Sequence, residues 1–165
     1  MLQFAKAYSR ELSRGAWESF NSAFSTAHTS PRESTALQFE IKRLAEGYDR
    51  RGRLMAHILN GLEGVSCQAS KGTTYLCPRV KLPAAAISAA KKEGIDGCMF
   101  YALGLWNAKN VRITPGSLPG SACYGLERIP GTVHLRVDVL YRDEDIHNLL
   151  IEVIAFHKEF METFT

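Results

Sequence analysis

At 165 residues the chain is long enough to bury one hydrophobic core and too short for two full domains. Hydrophobic residues make up 45% and charged residues 22%, which excludes a disordered tail and fits a folded globular protein. The net charge of +3, from 20 basic and 17 acidic residues spread along the chain, is too small to imply a nucleic-acid partner.

The first 29 residues carry Leu2, Phe4, Tyr8, Leu12, Trp17, Phe20 and Phe24 at loosely helical spacing, divided by Gly15. That spacing predicts two short helices with a heavy aromatic load. Lysine, arginine and glutamate interrupt the apolar residues of the opening, so it does not read as a signal peptide, and no later segment has the length of a membrane span. The expectation is a cytoplasmic protein with no membrane partner.

Ser30, Pro31 and Glu33 then supply an N-cap, a first-turn proline and a capping-box acid. Leu37, Ile41, Leu44, Tyr48, Met55, Leu59 and Leu62 follow at helical spacing, predicting one long helix over about 31–60. Asn60-Gly61 and Gly64 end it. Residues 65–68 and 73–80 read as strands joined by a turn at 69–72, with Pro78 at an edge or bulge. Pro83 and Gly94 bracket a helix, and another is expected over about 96–110. Residues 111–114 read as a strand, followed by a loop rich in glycine and proline and a strand over 132–140. Ile146, Leu149, Leu150, Val153, Phe156, Phe160 and Phe164 mark the stripe of a final helix, with acids at its positive end. The expected class is α+β: a small, mostly antiparallel sheet covered on one face by helices and preceded by a long helix.

Cys67, Cys77, Cys98 and Cys123 form no CxxC pair and have no histidine ladder nearby, so no metal site is read. Buried thiols in a reducing compartment are expected.

Alternation in 132–140 sets Val133, Leu135, Val137 and Val139 on one face, and Thr132, His134, Arg136 and Asp138 on the other. The second face has two readings. It is a solvated surface on which Arg136 pairs with Asp138 or a neighbouring strand, the reading that spacing alone favours. Alternatively, Arg136 is a fixed guanidinium fork suited to gripping a carboxylate with two hydrogen bonds.

The runs LNGLEGVSCQASKGTTYLCPRVKLP, MFYALGLWNAKNVRITPGS, GTVHLRVDVL and FHKEFMETF resemble, in order and spacing, the carboxy-terminal part of the alanine aminotransferase family, fold-type I enzymes that use pyridoxal 5'-phosphate. The resemblance implies that residues 1–29 are a helical remnant of the large cofactor-binding domain, 30–62 the long interdomain helix and 63–165 the small domain. It further implies that Arg136 binds the α-carboxylate of small amino acid and 2-oxo acid substrates, and that Gly72, Tyr75, Pro115, Gly116 and Ser117 shape the substrate mouth. The parent enzyme would be a homodimer converting L-alanine and 2-oxoglutarate to pyruvate and L-glutamate. The loop between Ser117 and Thr132 is longer than the family's and lacks its glycine-aromatic-glycine sequence, and Thr73-Thr74 replaces the family's Ala-Met.

Transamination needs a lysine that forms the aldimine, an acid for the pyridine nitrogen and a phosphate cradle, and none of these is expected in this part of the family's chain. Lys71, Lys91 and Lys92 read as solvated. The 165-residue chain is therefore expected to contain no catalytic residue and to be inactive alone, without binding the cofactor tightly. The alternative is a non-enzymatic module that binds a carboxylate or a partner. Two further readings have less support: a thiol hydrolase built from Cys123, His134 and Asp138, and a phosphate-binding loop at 114–125, which lacks the lysine and following helix of a P-loop.

Overall fold

The structure is a computed structural model in which residues 31–69, 74–121, 123, 126 and 129–165 are described, with side chains from Thr35 onward. The Ser30 cap with the Glu33 side chain, the two helices expected before it and residues 70–72 of the expected turn lie outside the described residues. The chain divides between Arg43 and Leu44 into two compact units.

Helix α1 spans Pro31–Leu59, in agreement with the apolar spacing. In the first unit Leu37 and Ile41 are exposed; in the second Leu44 is exposed while Met55 and Leu59 are buried. The stripe therefore enters a core only toward its carboxy-terminal end.

Strand β1 (Val65–Ser66) pairs antiparallel with β3 (Arg79–Lys81), with Val65 opposite Val80. The expected strand 73–80 is interrupted: β2 covers only Tyr75–Leu76 and is separated from β3 by Cys77 and Pro78. Proline has no N–H to donate, but its carbonyl accepts from the Leu135 amide at 3.0 Å. The register consequently survives the break, with Leu76 opposite Val137 and Arg79 opposite His134 on β5 (Thr132–Asp138).

The strand expected at 111–114 is shorter and displaced. β4 is Thr114–Pro115, paired with Arg136 and Leu135. Val111 and Ile113 instead pack against the core, because only from Thr114 onward does the chain lie along β5. Successive backbone groups of a strand point to opposite edges. Leu135 and Val139 donate to Pro78 and Thr74, whereas the His134 carbonyl accepts from Gly116; β2 and β3 thus share one edge of β5 and β4 takes the other.

Helices α2 (Ala84–Lys92), α3 (Gly97–Lys109) and α4 (Asp143–Phe164) supply the cover. Asp96 caps α3 by accepting from the Cys98 and Met99 amides at 2.8 and 3.1 Å. Asn110 closes it in the left-handed region, where a short polar side chain is tolerated. On α4, Ile146, Leu150, Val153, Phe156 and Phe160 are buried, Leu149 and Phe164 partly so. The acidic first turn, Asp143 to Asp145, sits where the helix dipole favours it. Together with Val133, Leu135, Val137 and Val139 these residues form the core, each large side chain contributing about 1.5–3 kcal/mol of transfer free energy. The α+β class and the antiparallel sheet agree with the sequence.

The cysteine expectation is corrected. Cys77 and Cys123 are joined by a disulfide across 46 residues, while Cys67 and Cys98 are free. No local spacing betrays this pair, since pairing along β5 and the return of the long loop bring the two residues together.

Candidate functional site

The two faces of β5 alternate between buried and half-exposed without exception, so Arg136 stands on the outer face. The shared register puts Tyr75 opposite Asp138 and Arg79 opposite His134, which places Cys77 opposite Arg136. Arg136 thus has β2 and β3 on one flank and Thr114 on the other.

Asp138 lies two residues along the same face. Its Oδ1 accepts from Arg136 Nε at 2.9 Å and contacts Nη2 at 2.8 Å. One carboxylate oxygen therefore occupies the side edge of the guanidinium. The guanidinium carbon sits 5.2 Å from the centre of the Tyr75 ring, within range of a cation–π attraction. Among the described residues Nη1 has no partner, so the end edge formed by Nη1 and Nη2 remains able to donate two parallel hydrogen bonds. The side chains of Arg136 and Asp138 are 32% and 30% exposed, reachable from solvent yet held by a rigid strand.

Next to this pair, a cavity of about 160 Å³ is lined by Asp96, Cys98, Ser117, Cys123 and His134, among others. Arg136 is not in its wall. Ser117 Oγ donates to the Asp96 carboxylate at 2.9 Å, tying the loop after β4 to the start of α3. The Gly116 amide donates to the His134 carbonyl at 2.8 Å, and a Cβ at Gly116 would lie 2.4 Å from that oxygen. Only glycine permits this approach. Because the Gly116 amide is spent on the sheet, it is not directed at a phosphate.

Partial burial, with Arg79 adding to it, lowers the pKa of His134 and favours the neutral imidazole. Burial raises the pKa of the Cys98 thiol, and that of Cys67 to about 11, so neither is an activated nucleophile. The hydrolase reading of Cys123, His134 and Asp138 is overturned: Cys123 is in the disulfide, and Asp138 holds Arg136.

Of the residues singled out in the sequence, Arg136 and Tyr75 stand together. Gly116 and Ser117 line the neighbouring cavity, Pro115 is buried in β4, and Gly72 lies outside the described residues. Sequence reasoning missed the disulfide and the Asp96–Ser117 link. No signal in the chain pointed to either, since both join distant segments.

Pyridoxal 5'-phosphate would need a lysine and a phosphate cradle facing one cavity. Lys81, Lys91, Lys92 and Lys158 are exposed, and Lys109 Nζ pairs with Glu159 at 2.9 Å. None of these lines the cavity beside β5. The described residues therefore do not fit that cofactor. Among them, no group of acids, cysteines and histidines could hold a metal, and no helix is long and apolar enough to cross a membrane.

No family model matches the chain. It is 37% identical over 115 residues to alanine aminotransferase 2, mitochondrial, of Arabidopsis thaliana, covering 70% of this chain and 20% of that protein. It is 33% identical over 126 residues to alanine aminotransferase 2 of Panicum miliaceum, covering 76% and 25% respectively. The chain thus spans between a fifth and a quarter of the length of these relatives. Among solved structures, alanine aminotransferase from Pyrococcus furiosus superposes with a TM-score of 0.52 at 18% identity, covering 69% of this chain and 24% of that one. Aromatic aminotransferase from Pyrococcus horikoshii gives 0.52 at 19% identity over 82% and 29%; these two likenesses concern the fold alone. The chain is homologous to alanine aminotransferases along most of its length, and its fold is that of part of an aminotransferase.

Proposed function

We propose that this chain is the carboxy-terminal part of an alanine aminotransferase and that Arg136 binds the α-carboxylate of its substrates. The observation that carries this reading is the state of the guanidinium: its side edge is held by Asp138, its face is seated near Tyr75 and its end edge is unpaired among the described residues. A planar fork fixed in this way meets a carboxylate in one orientation, and a pre-set orientation lowers the entropy cost of binding.

In this reading residues 1–29 close the large domain, 30–62 join the domains and 63–165 form the small domain. The parent, a cytoplasmic homodimer, exchanges an amino group between L-alanine and 2-oxoglutarate, giving pyruvate and L-glutamate. Pyridoxal 5'-phosphate and the lysine that carries it come from the remainder of the polypeptide. What this chain contributes is substrate binding and orientation, so alone it is inactive.

Two measurements test the reading. In the longer polypeptide, Arg136→Lys replaces a fork by a point charge and is expected to lower kcat/KM about tenfold or more for both substrates, chiefly through KM. Unchanged kinetics would remove Arg136 from the site. The 165-residue chain by itself, supplied with cofactor, L-alanine and 2-oxoglutarate, is expected to form no pyruvate; turnover would overturn its inactivity.

A further inference from the structure

The two sulfurs of the Cys77–Cys123 disulfide stand in different surroundings. The alternation through β2 and β3 leaves Cys77 half-exposed on the outer face, between Tyr75 and Arg79 and opposite Arg136. Cys123 is 3% exposed, and its Sγ lies 3.4 Å from the Leu135 carbonyl oxygen. A disulfide sulfur bears no hydrogen to donate there, whereas a Cys123 thiol would donate to that oxygen. The reduced form of Cys123 thus has a hydrogen-bond acceptor already in place.

We propose that Cys77–Cys123 is a reversible redox couple that exchanges with external thiols and disulfides, with Cys77 as the entry sulfur and Cys123 as the buried resolving thiol. The couple depends on the charge of Arg136 and not on its binding a carboxylate. Along the outer face the charged and titratable groups around Cys77 are Tyr75 and Arg79 on its own line, and His134, Arg136 and Asp138 on β5. Asp138 is held by Arg136, and partial burial with Arg79 beside it favours neutral His134. Positive charge therefore prevails around Cys77. Neighbouring guanidinium groups favour a thiolate, the form that attacks and leaves in exchange. Cys98 lines the same cavity as Cys123, but burial keeps it a thiol.

In reduction, one thiolate of an external dithiol attacks the half-exposed Cys77 Sγ. A bond forms between those two sulfurs, the Cys77–Cys123 bond breaks, and the electron pair leaves on Cys123, which takes a proton from solvent and donates to the Leu135 carbonyl. The second thiol of the reductant gives its proton to solvent, attacks the first reductant sulfur and expels Cys77 as a thiolate. Two electrons pass to the protein, and the reductant departs as a cyclic disulfide. Oxidation runs in the opposite sense: the Cys77 thiolate attacks an external disulfide, and Cys123 then displaces the half bound to Cys77. Reduction thereby adds negative charge to the outer face.

The test uses the full 165-residue chain, reduced with dithiothreitol under native conditions, freed of reductant and alkylated briefly with iodoacetamide before peptide mapping. Circular dichroism is expected to show that the chain stays folded on reduction. Cys77 is expected to alkylate about tenfold faster than Cys67, Cys98 or Cys123. Arg79→Gln and Arg136→Gln should each slow Cys77 about two- to fivefold, the effect of one charge several ångströms away in a solvated setting, and leave the other cysteines unchanged. Hydroxyethyl disulfide should restore the Cys77–Cys123 bond in the reduced chain. In Cys123→Ser the same reagent should accumulate as a mixed disulfide on Cys77, and in Cys77→Ser it should leave Cys123 free.

If the bond resists reduction until the chain unfolds, or if reduction itself unfolds the chain and the cysteines alkylate alike, the pair is a fixed cross-link and the couple is overturned. The assigned roles are overturned if Cys123 alkylates first, if the mixed disulfide accumulates on Cys123, or if reoxidation joins Cys123 to Cys98. A Cys77 rate that neither arginine substitution changes would overturn the part given to the guanidinium groups.

Discussion

The two faces of β5 share one backbone and differ in what they can lose. The inner face places Val133, Leu135, Val137 and Val139 in the core, each at most 6% exposed. The outer face presents His134, Arg136 and Asp138 half-exposed, with a disulfide opposite the arginine. Stability is concentrated on the first face and the second contributes little to it, because apolar burial is proportional to the area removed from water whereas a half-exposed ion pair is screened by solvent.

The contrast is broken most directly from the inner side. Leu135→Ala removes a side chain buried in the core and is expected to cost about 2–5 kcal/mol, read as a fall in the urea midpoint. A midpoint within error of wild type would mean that the strand is not the centre of the core.

Reduction of Cys77–Cys123 comes next, with an expected loss of about 2–4 kcal/mol for a loop of this length. Thermal melts with and without a phosphine reductant check it, and the double serine variant should be insensitive to reductant. An unshifted melt on reduction would show that the cross-link does not restrain the unfolded chain.

The buried His157 adds a pH dependence to the inner side, since it is the one polar side chain among the buried described residues. Its Nε2 lies 2.8 Å from the Glu63 carbonyl, which requires Nε2–H to donate; Nδ1, 3.0 Å from Tyr101 Oη, then accepts from the phenol. Burial lowers the pKa of His157 below its usual value, only partly opposed by Glu63, and raises that of Tyr101. Folding thus disfavours the charged imidazole, so the unfolded chain takes up the proton first. The stability that neutral His157 provides is complete above the ordinary histidine pKa of about 6.5 and is lost as pH falls through the lowered folded value. His134 acts in the same sense. Denaturant melts across this window should show stability declining toward acid, and less steeply in His157→Gln, which cannot take up the proton. Identical pH profiles would exclude His157 as a contributor.

The smallest expected change in stability is on the outer face. Arg136→Gln should alter the unfolding free energy by less than about 1 kcal/mol, the ordinary worth of an exposed ion pair, while removing carboxylate binding. A loss as large as that of Leu135→Ala would make Arg136 structural.

Much of the architecture was legible in local pattern. Apolar steps of three and four marked α1 and α4, Pro83 and Gly94 bracketed α2, and strict alternation identified both faces of β5. These signals are readable because a helix or strand repeats its environment at a fixed period. The short strands were less legible: the break at Cys77–Pro78 and the displacement of β4 to Thr114–Pro115 depend on where β5 lies, and two residues give no period to read. Of the site, Arg136 stood out as a charge in an apolar alternation and Asp138 as its neighbour on the same face. That one Asp138 oxygen takes the side edge and leaves the end edge open could not be read, because spacing names neighbours and not which atoms they share.

By itself the sequence determined the α+β class, the core face of β5, the ends of the helices and a resemblance that its relatives bear out. All of these rest on interactions between residues close in the chain or on a repeated motif. The tertiary structure alone decided the Cys77–Cys123 cross-link, the Asp96–Ser117 tie, the burial of His157 against Tyr101 and the division of the Arg136 guanidinium into a held edge and an open one. The first three join segments distant in sequence, and the fourth depends on side-chain placement on the folded sheet. Such contacts form only once the sheet and its covering helices have been assembled.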